Sequence, residues 1–130
     1  MTMDFLERLV YLLDAQKFYS TVLSPVLGTG NSIAVTTLPS RTFQHYMDGS
    51  YNQGYAFQIS IKHEQQLTAL NTCQLIVDFL KDIKSIPSEN NSYEFEGIDI
   101  QTSPNLLMKD DKYYIFTAQL SANLLVYKGD

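Results

Sequence analysis

The stretch YAFQISIKHEQQLTALNTCQLIVDFLKDIK, residues 55–84, changes its hydrophobic period at His63. Before His63, apolar and polar side chains alternate, which is the two-residue period of a half-buried β-strand. After it, apolar residues recur in steps of four and three, as they do on one face of an α-helix. These residues are Ala69, Cys73, Ile76, Leu80 and Ile83. The sequence therefore predicts a strand over 55–62 and a helix over 64–84, which Pro87 ends.

The segments on either side add a second helix and further strands. Apolar residues recur at the helical period in residues 2–16, which predicts an amphipathic helix. Residues 18–31 are irregular and end in the turn signal GTGN. Further strands are predicted over residues 32–38, 41–47, 93–95, 98–101 and 113–126, with a bulge or break around Gly97.

The resulting element order is α-β-β-β-α-β-β, without alternating βαβ units. This order predicts an α+β fold in which two helices pack on one face of a mostly antiparallel sheet of four to five strands. The apolar faces of these elements predict the core. Its expected members are Leu9, Leu12, Leu13, Ile59, Ile61, Cys73, Ile76, Leu80, Phe116 and Leu120.

Composition limits the classes of function. The 130 residues suit a single domain, residues 1–130, and the formal net charge is −5. Nine basic against fourteen acidic residues, with no basic run, argue against binding to nucleic acid or to an anionic membrane. A single cysteine excludes an internal disulfide, and no apolar run has the length of a spanning helix. We therefore expect a protein made in the cytosol, without a signal peptide.

Motifs for catalysis or metal binding are weak. Gly49 and Gly54 have the spacing of a P-loop, but Tyr55 and Ala56 stand where a P-loop needs Lys and Ser or Thr. A tight turn at Asp48 and Gly49 with a bulge at Gly54 is the simpler interpretation, which makes residues 48–54 a turn or bulged loop. The possible soft metal ligands, which lack the close pairing of a zinc site, are His45, His63 and Cys73. We predict no catalytic residues, no metal and no cofactor, and hence a protein that is not an enzyme.

Two classes of function remain open from the residues alone. An aromatic-rich, acidic domain with a polar loop suits protein–protein contact. The alternative is a cytosolic α+β oligomer that binds a small apolar ligand between sheet and helices, or acts there as an enzyme. In that case aromatic residues would line the pocket, and the candidates are Tyr46, Tyr51, Tyr55 and Phe57.

Three longer segments carry a family resemblance. They are TTLPSRT at residues 36–42, HYMDGSYNQGYAFQISIKHEQQLTALNTCQLIVDFL at 45–80, and FEGIDIQTSPNLLMKDDKYYIFTAQLSANL at 95–124. In this order they resemble the phage minor capsid proteins of Firmicutes siphoviruses, a group related to tail terminator, or tail completion, proteins. The resemblance covers residues 3–125 and includes no catalytic signature.

The resemblance implies a structural role in a phage or prophage particle. Tail terminators form a ring, usually a hexamer, on the last ring of the tail tube and offer a surface to the neck proteins of the head. The expected partners are therefore further copies of this chain, the major tail tube protein and head-completion proteins. The expected location is the virion neck, reached from the host cytoplasm. Candidate interface residues are Tyr46, Asp48, Gly49, Tyr51 and Tyr55, because tyrosine is favoured at interfaces.

Overall fold

Two helices and one sheet make up the computed structural model, which describes residues 4–19, 22–24, 27–28, 30–38, 41–45, 49–89 and 92–127, without the side chains of 41–45. The sheet has six strands, of which the first has only two residues. In chain order the elements are α1 (Phe5–Asp14), β1 (Val22–Leu23), β2 (Ser32–Thr37), β3 (Arg41–His45), β4 (Tyr51–His63), α2 (Gln66–Asp82), β5 (Tyr93–Asp110) and β6 (Tyr113–Val126).

The sheet is built around β4. Its strand order is β1-β2-β4-β6-β5. Strand β3 also pairs with β4, on the same side as β2, but with the first residues of β4 instead of the later ones. All pairs are antiparallel except β1 with β2. The predicted α+β architecture, with its element order and mostly antiparallel sheet, is thereby confirmed. The short parallel strand β1 is an addition to the predicted elements. It lies within residues 18–31, which were predicted to be irregular.

Both helices cover the same face of the sheet, called here the inner face. On β4 this face carries Tyr55, Phe57, Ile59 and Ile61, which alternate with other side chains along the strand and are all buried. Helix α1 contributes Phe5, Leu9 and Leu13 to the core, and α2 contributes its predicted apolar stripe. Nine of the ten predicted core residues are buried, and the tenth, Leu12, is half-buried and packs against the core.

The predicted start of β4, the predicted bulge at Gly54 and the predicted strand end before Pro104 are wrong. Strand β4 begins at Tyr51, so the segment predicted as a loop through Gly54 is mostly strand. Gly54 keeps regular pairing with Arg41 and Asn123, and the bulge lies on β3 instead. Strand β5 continues through Pro104 to Asp110, because an edge strand tolerates a proline that has no N–H to donate. The irregularity predicted at Gly97 is confirmed, with a register shift and a φ of 146°.

A buried carboxylate joins the first helix to the loop before β5. Asp4 accepts hydrogen bonds from the hydroxyl of Ser88 at 2.6 Å, the N–H of Glu89 at 2.9 Å and the hydroxyl of Ser92 at 3.1 Å. Burial by itself raises the pKa of Asp4, but these hydrogen bonds outweigh it and hold the pKa below its ordinary value. The start of α1 is thus fixed to a distant part of the chain.

Candidate functional site: assembly surfaces

The predicted interface loop lies between β3 and β4. His45 pairs with Tyr51, so the segment that connects the two strands is residues 46–50. Tyr46 and Asp48 lie outside the described residues. Gly49 is half-buried with a φ of 90°, a left-handed value that suits glycine and a turn. Tyr51 is half-buried against the core and shares its register position with Val126. The interface role of Gly49 and Tyr51 stays a prediction.

Tyr55 offers little surface to a partner, because it belongs to the interior. It is only 8% exposed, and its ring meets that of Phe5 edge-on with 4.9 Å between the centroids. Its hydroxyl forms a 2.9 Å hydrogen bond with the hydroxyl of Thr37. This contact ties β4 to the end of β2 and satisfies the polar tip of a buried tyrosine.

The histidine and cysteine candidates are used structurally where their side chains are described. His63 accepts a 2.9 Å hydrogen bond at Nδ1 from the N–H of Gln65, just before α2, and its ring packs edge-on against Tyr19. Cys73 is fully buried in the stripe of α2, and burial raises the pKa of its thiol to about 12. A thiol with such a pKa stays protonated at neutral pH and is a poor nucleophile or metal ligand. Across the described ranges, no three His, Cys, Asp or Glu side chains are grouped to hold a metal.

Charged residues at the β5–β6 turn lie in solvent. Asp110 and Asp111 are both exposed, and Asp111 has a φ of 55° in the two-residue turn. Lys112 approaches Glu64 at 3.5 Å between Nζ and Oε1, with both side chains about half exposed or more. Such an exposed ion pair contributes little to stability. The adjacent aspartates therefore lie in a solvated turn.

Large buried side chains lie between the helices and the sheet. The largest fully buried side chains include Phe5 and Leu13 of α1, Phe57 and Ile59 of β4, and Leu80 of α2. The aromatic residues proposed as a pocket lining for an apolar ligand are split: Tyr55 and Phe57 are buried in this core, and Tyr51 packs on its margin. This arrangement uses the aromatic rings for packing.

The surface that sequence reasoning missed is the edge strand β5. Among the described residues β5 pairs with β6 alone. Four of its large apolar side chains are exposed: Ile100 (37%), Leu106 (47%), Leu107 (59%) and Met108 (49%). The signal was present in the run NLLM, residues 105–108, whose three successive apolar residues do not alternate. Exposed apolar side chains on an unpaired strand edge are the usual features of an interaction surface.

The opposite face of the sheet, called here the outer face, has a polar centre. Across β4 and β6 it presents the side chains of Gln58, Ser60, Thr117 and Gln119. Two of these amides are linked, because Gln119 Nε2 donates to Gln58 Oε1 at 3.3 Å, and Gln58 Nε2 donates to Ser60 Oγ at 3.2 Å. None of the described helices is both long and apolar enough to cross a membrane.

Comparison with known proteins gives the fold a context. No family model matches the chain, and no curated protein matches it in sequence. Among solved structures, a chain of the "Virion of native gene transfer agent (GTA) particle" has a similar fold, with a TM-score of 0.53. The match covers 82% of this chain and 77% of that chain, at 12% sequence identity. At this identity the likeness establishes a shared fold, over most of the length of both chains.

Proposed function

We propose that this protein is a structural component of a phage or prophage particle, and that it acts as a tail terminator in the neck. The observation that carries the proposal is the shared fold with a chain of a gene transfer agent virion over most of both chains. The resemblance of three ordered segments to phage minor capsid proteins of Firmicutes siphoviruses, related to tail terminators, is a second line of support. The small α+β fold that this resemblance implies is also the fold of the structure.

The proposed mechanism is assembly rather than catalysis. In a closed ring, each subunit presents one patch to a different patch on its neighbour, and the rotation between neighbours fixes the number of subunits. Such a ring, a hexamer in this proposal, would sit on the last ring of the tail tube and stop its growth. Its other side would then receive the head-completion proteins.

Three features of the described residues suit this role. Aromatic and aliphatic side chains are buried in the core, His63 and Cys73 have structural environments, and the edge strand β5 exposes apolar side chains. None of these features needs a cofactor, and the exposed apolar edge suits a subunit of an assembly. We therefore propose that the protein is not an enzyme.

Localisation on the particle tests this proposal. Particles from the phage or lysogen that encodes the chain should contain the protein, and an antibody against it should label the junction of head and tail in electron micrographs. Mass spectrometry of the same particles should find it alongside the major tail tube protein. Its absence from purified particles, or labelling confined to the capsid or the tail tip, would contradict the proposal.

A further inference from the structure

The open edge of β5 has a specific geometry. The strand runs antiparallel to β6, which is antiparallel to β4, so β5 points in the same direction as β4. Its segment from Ile100 to Met108 contains no charged residue. Leu106 is opposite Phe116 and so lies on the inner face, whereas Met108 is opposite Ile115 and lies on the outer face. The apolar side chains of this edge therefore flank it on both faces.

The chain carries a second open edge, on the far side of the sheet. Within the described ranges, β1 pairs only with β2, and β3 pairs only with β4. Both β2 and β3 are antiparallel to β4, and β1 is parallel to β2. Every strand of this far edge therefore runs opposite to β5. When subunits are related by rotation about an axis along the strands, β5 of one copy meets the far edge of the next copy in antiparallel orientation, the more favourable pairing.

Both edges contain an uncharged segment, and the two segments are at the same level in the sheet. Rows of paired residues cross the sheet from one edge to the other. Ile100 shares a row with Leu120, Phe57 and Thr37, and Met108 shares one with Ile115, Lys62 and Ser32. The uncharged part of β5 is thus level with β2, which has no charged residue either.

At the end of these uncharged segments that is nearer to β3, the charges on the two edges have opposite signs. Arg41, the first residue of β3, is in the row of Gly54, Asn123 and Gly97. On β5, Glu96 and Asp99 lie on either side of that row. Two copies placed edge to edge without a shift along the strands would therefore bring uncharged segments together and set acidic residues level with a basic one. Such a pattern favours one partner and one register.

We propose that the β5 edge, centred on Leu106, Leu107 and Met108, binds the β1–β2–β3 edge of a second copy of this chain. The contact deepens the proposed ring, on which it rests, by naming the two patches that meet. Register shifts interrupt β5 at several points, including between Leu106 and Met108. Burial of the side chains of Leu106, Leu107 and Met108, rather than an unbroken ladder of hydrogen bonds, supplies most of the affinity. All helices stay on the inner face, so neighbouring sheets join into one continuous wall.

Sedimentation of three purified full-length proteins tests the contact: wild type, Leu107→Lys and Leu75→Lys. Leu75 on α2 is a matched control, since it is the same residue type at 60% exposure against 59% for Leu107. Wild type should associate as its concentration rises. Leu107→Lys should weaken association at least about tenfold, the equivalent of 1.4 kcal/mol, and Leu75→Lys should leave it unchanged. Met108→Lys provides a second variant on the outer face of the edge. Thermal unfolding of each variant shows whether it is folded.

Hydrogen exchange on the associated wild type identifies the partner edge. Amides of β5 should gain protection together with amides of β1 and β3, and Leu107→Lys should lose both effects. Protection of β5 without the far edge would mean that β5 meets β5, and would overturn the assignment. A wild type that stays monomeric up to its solubility limit, or equal weakening by Leu75→Lys, would also overturn it. None of these results affects localisation to the neck, so failure of this contact is distinct from failure of the proposed function.

Discussion

Removing the ring of Phe5 tests most sharply how the first helix is held on the sheet. Phe5 is fully buried at the start of α1. Its ring meets Tyr55 at 4.9 Å and Tyr93 at 5.5 Å between centroids, both edge-on, and Phe57 at 6.2 Å. The side chain therefore joins α1 to β4 in the middle of the sheet and to β5 at its edge.

The expected cost follows from these contacts. Truncating a fully buried phenylalanine to alanine removes its transfer free energy and leaves a cavity, at a typical cost of about 3–5 kcal/mol. The two edge-on ring pairs contribute about 0.5–1.5 kcal/mol each, which favours the upper half of that range for Phe5→Ala. Phe5→Leu keeps most of the apolar volume but loses the ring pairs, so we expect about 1–2 kcal/mol.

Equilibrium unfolding in urea measures both free energies, with an unchanged dependence on denaturant showing that the unfolded state is comparable. Leu75→Ala, at an exposed position of α2, serves as the control and should change stability by less than about 0.5 kcal/mol. A loss below about 1 kcal/mol for Phe5→Ala would refute the reasoning, because a core residue cannot be so dispensable. It would mean that α1 does not dock on the inner face.

Three other predictions concern the carboxylate of Asp4, the thiol of Cys73 and the segment between β3 and β4. Asp4→Asn should cost about 1–3 kcal/mol at neutral pH, since it weakens a buried hydrogen-bonded network. The pKa of Asp4 is lowered in the folded state, so the carboxylate stabilises the fold at pH values above its ordinary pKa of about 3.9. As the pH falls below that value, the difference in stability between wild type and Asp4→Asn should shrink, which acid titrations of both proteins measure. Cys73 should react with a thiol reagent only at the rate of unfolding, and fast labelling of the native protein would show that α2 is not packed as described. Replacing residues 46–50 by Asn-Gly should preserve the fold, because His45 and Tyr51 are already paired. The same replacement should impair tail completion, and normal infectious particles would exclude this segment from the interface.

Hydrophobic period was enough to predict the central elements. Apolar side chains recur at every second residue along β4 and at the helical period along α2, as burial of one face requires. Strand β6 coincides with the predicted strand at both ends. These elements lie at the centre of the fold, where one face is buried and the pattern must follow the geometry. The core list held for the same reason, apart from Leu12 at the margin of α1.

Periodicity failed where tertiary pairing decides the structure. Strand β1 has two residues, too few to show any period, and exists because β2 offers it an edge. Strand β5 is exposed for most of its length, so no buried face imposes alternation on residues 99–110. Pro104 looked like a strand end there, although an edge strand admits it. Tyr55 was expected at a surface because tyrosine favours interfaces, but Phe5, from a distant part of the chain, encloses it.

Tail length in particles that lack the protein tests the proposed tail terminator most directly. The gene would be deleted from the phage or lysogen and restored from a plasmid, and tails would be measured in negatively stained lysates. A terminator stops the growth of the tube, so the deletion should give tails of broad and excessive length without heads, and the restored gene should recover tails of uniform length joined to heads. Tails of normal length attached to heads in the deletion strain would contradict the account.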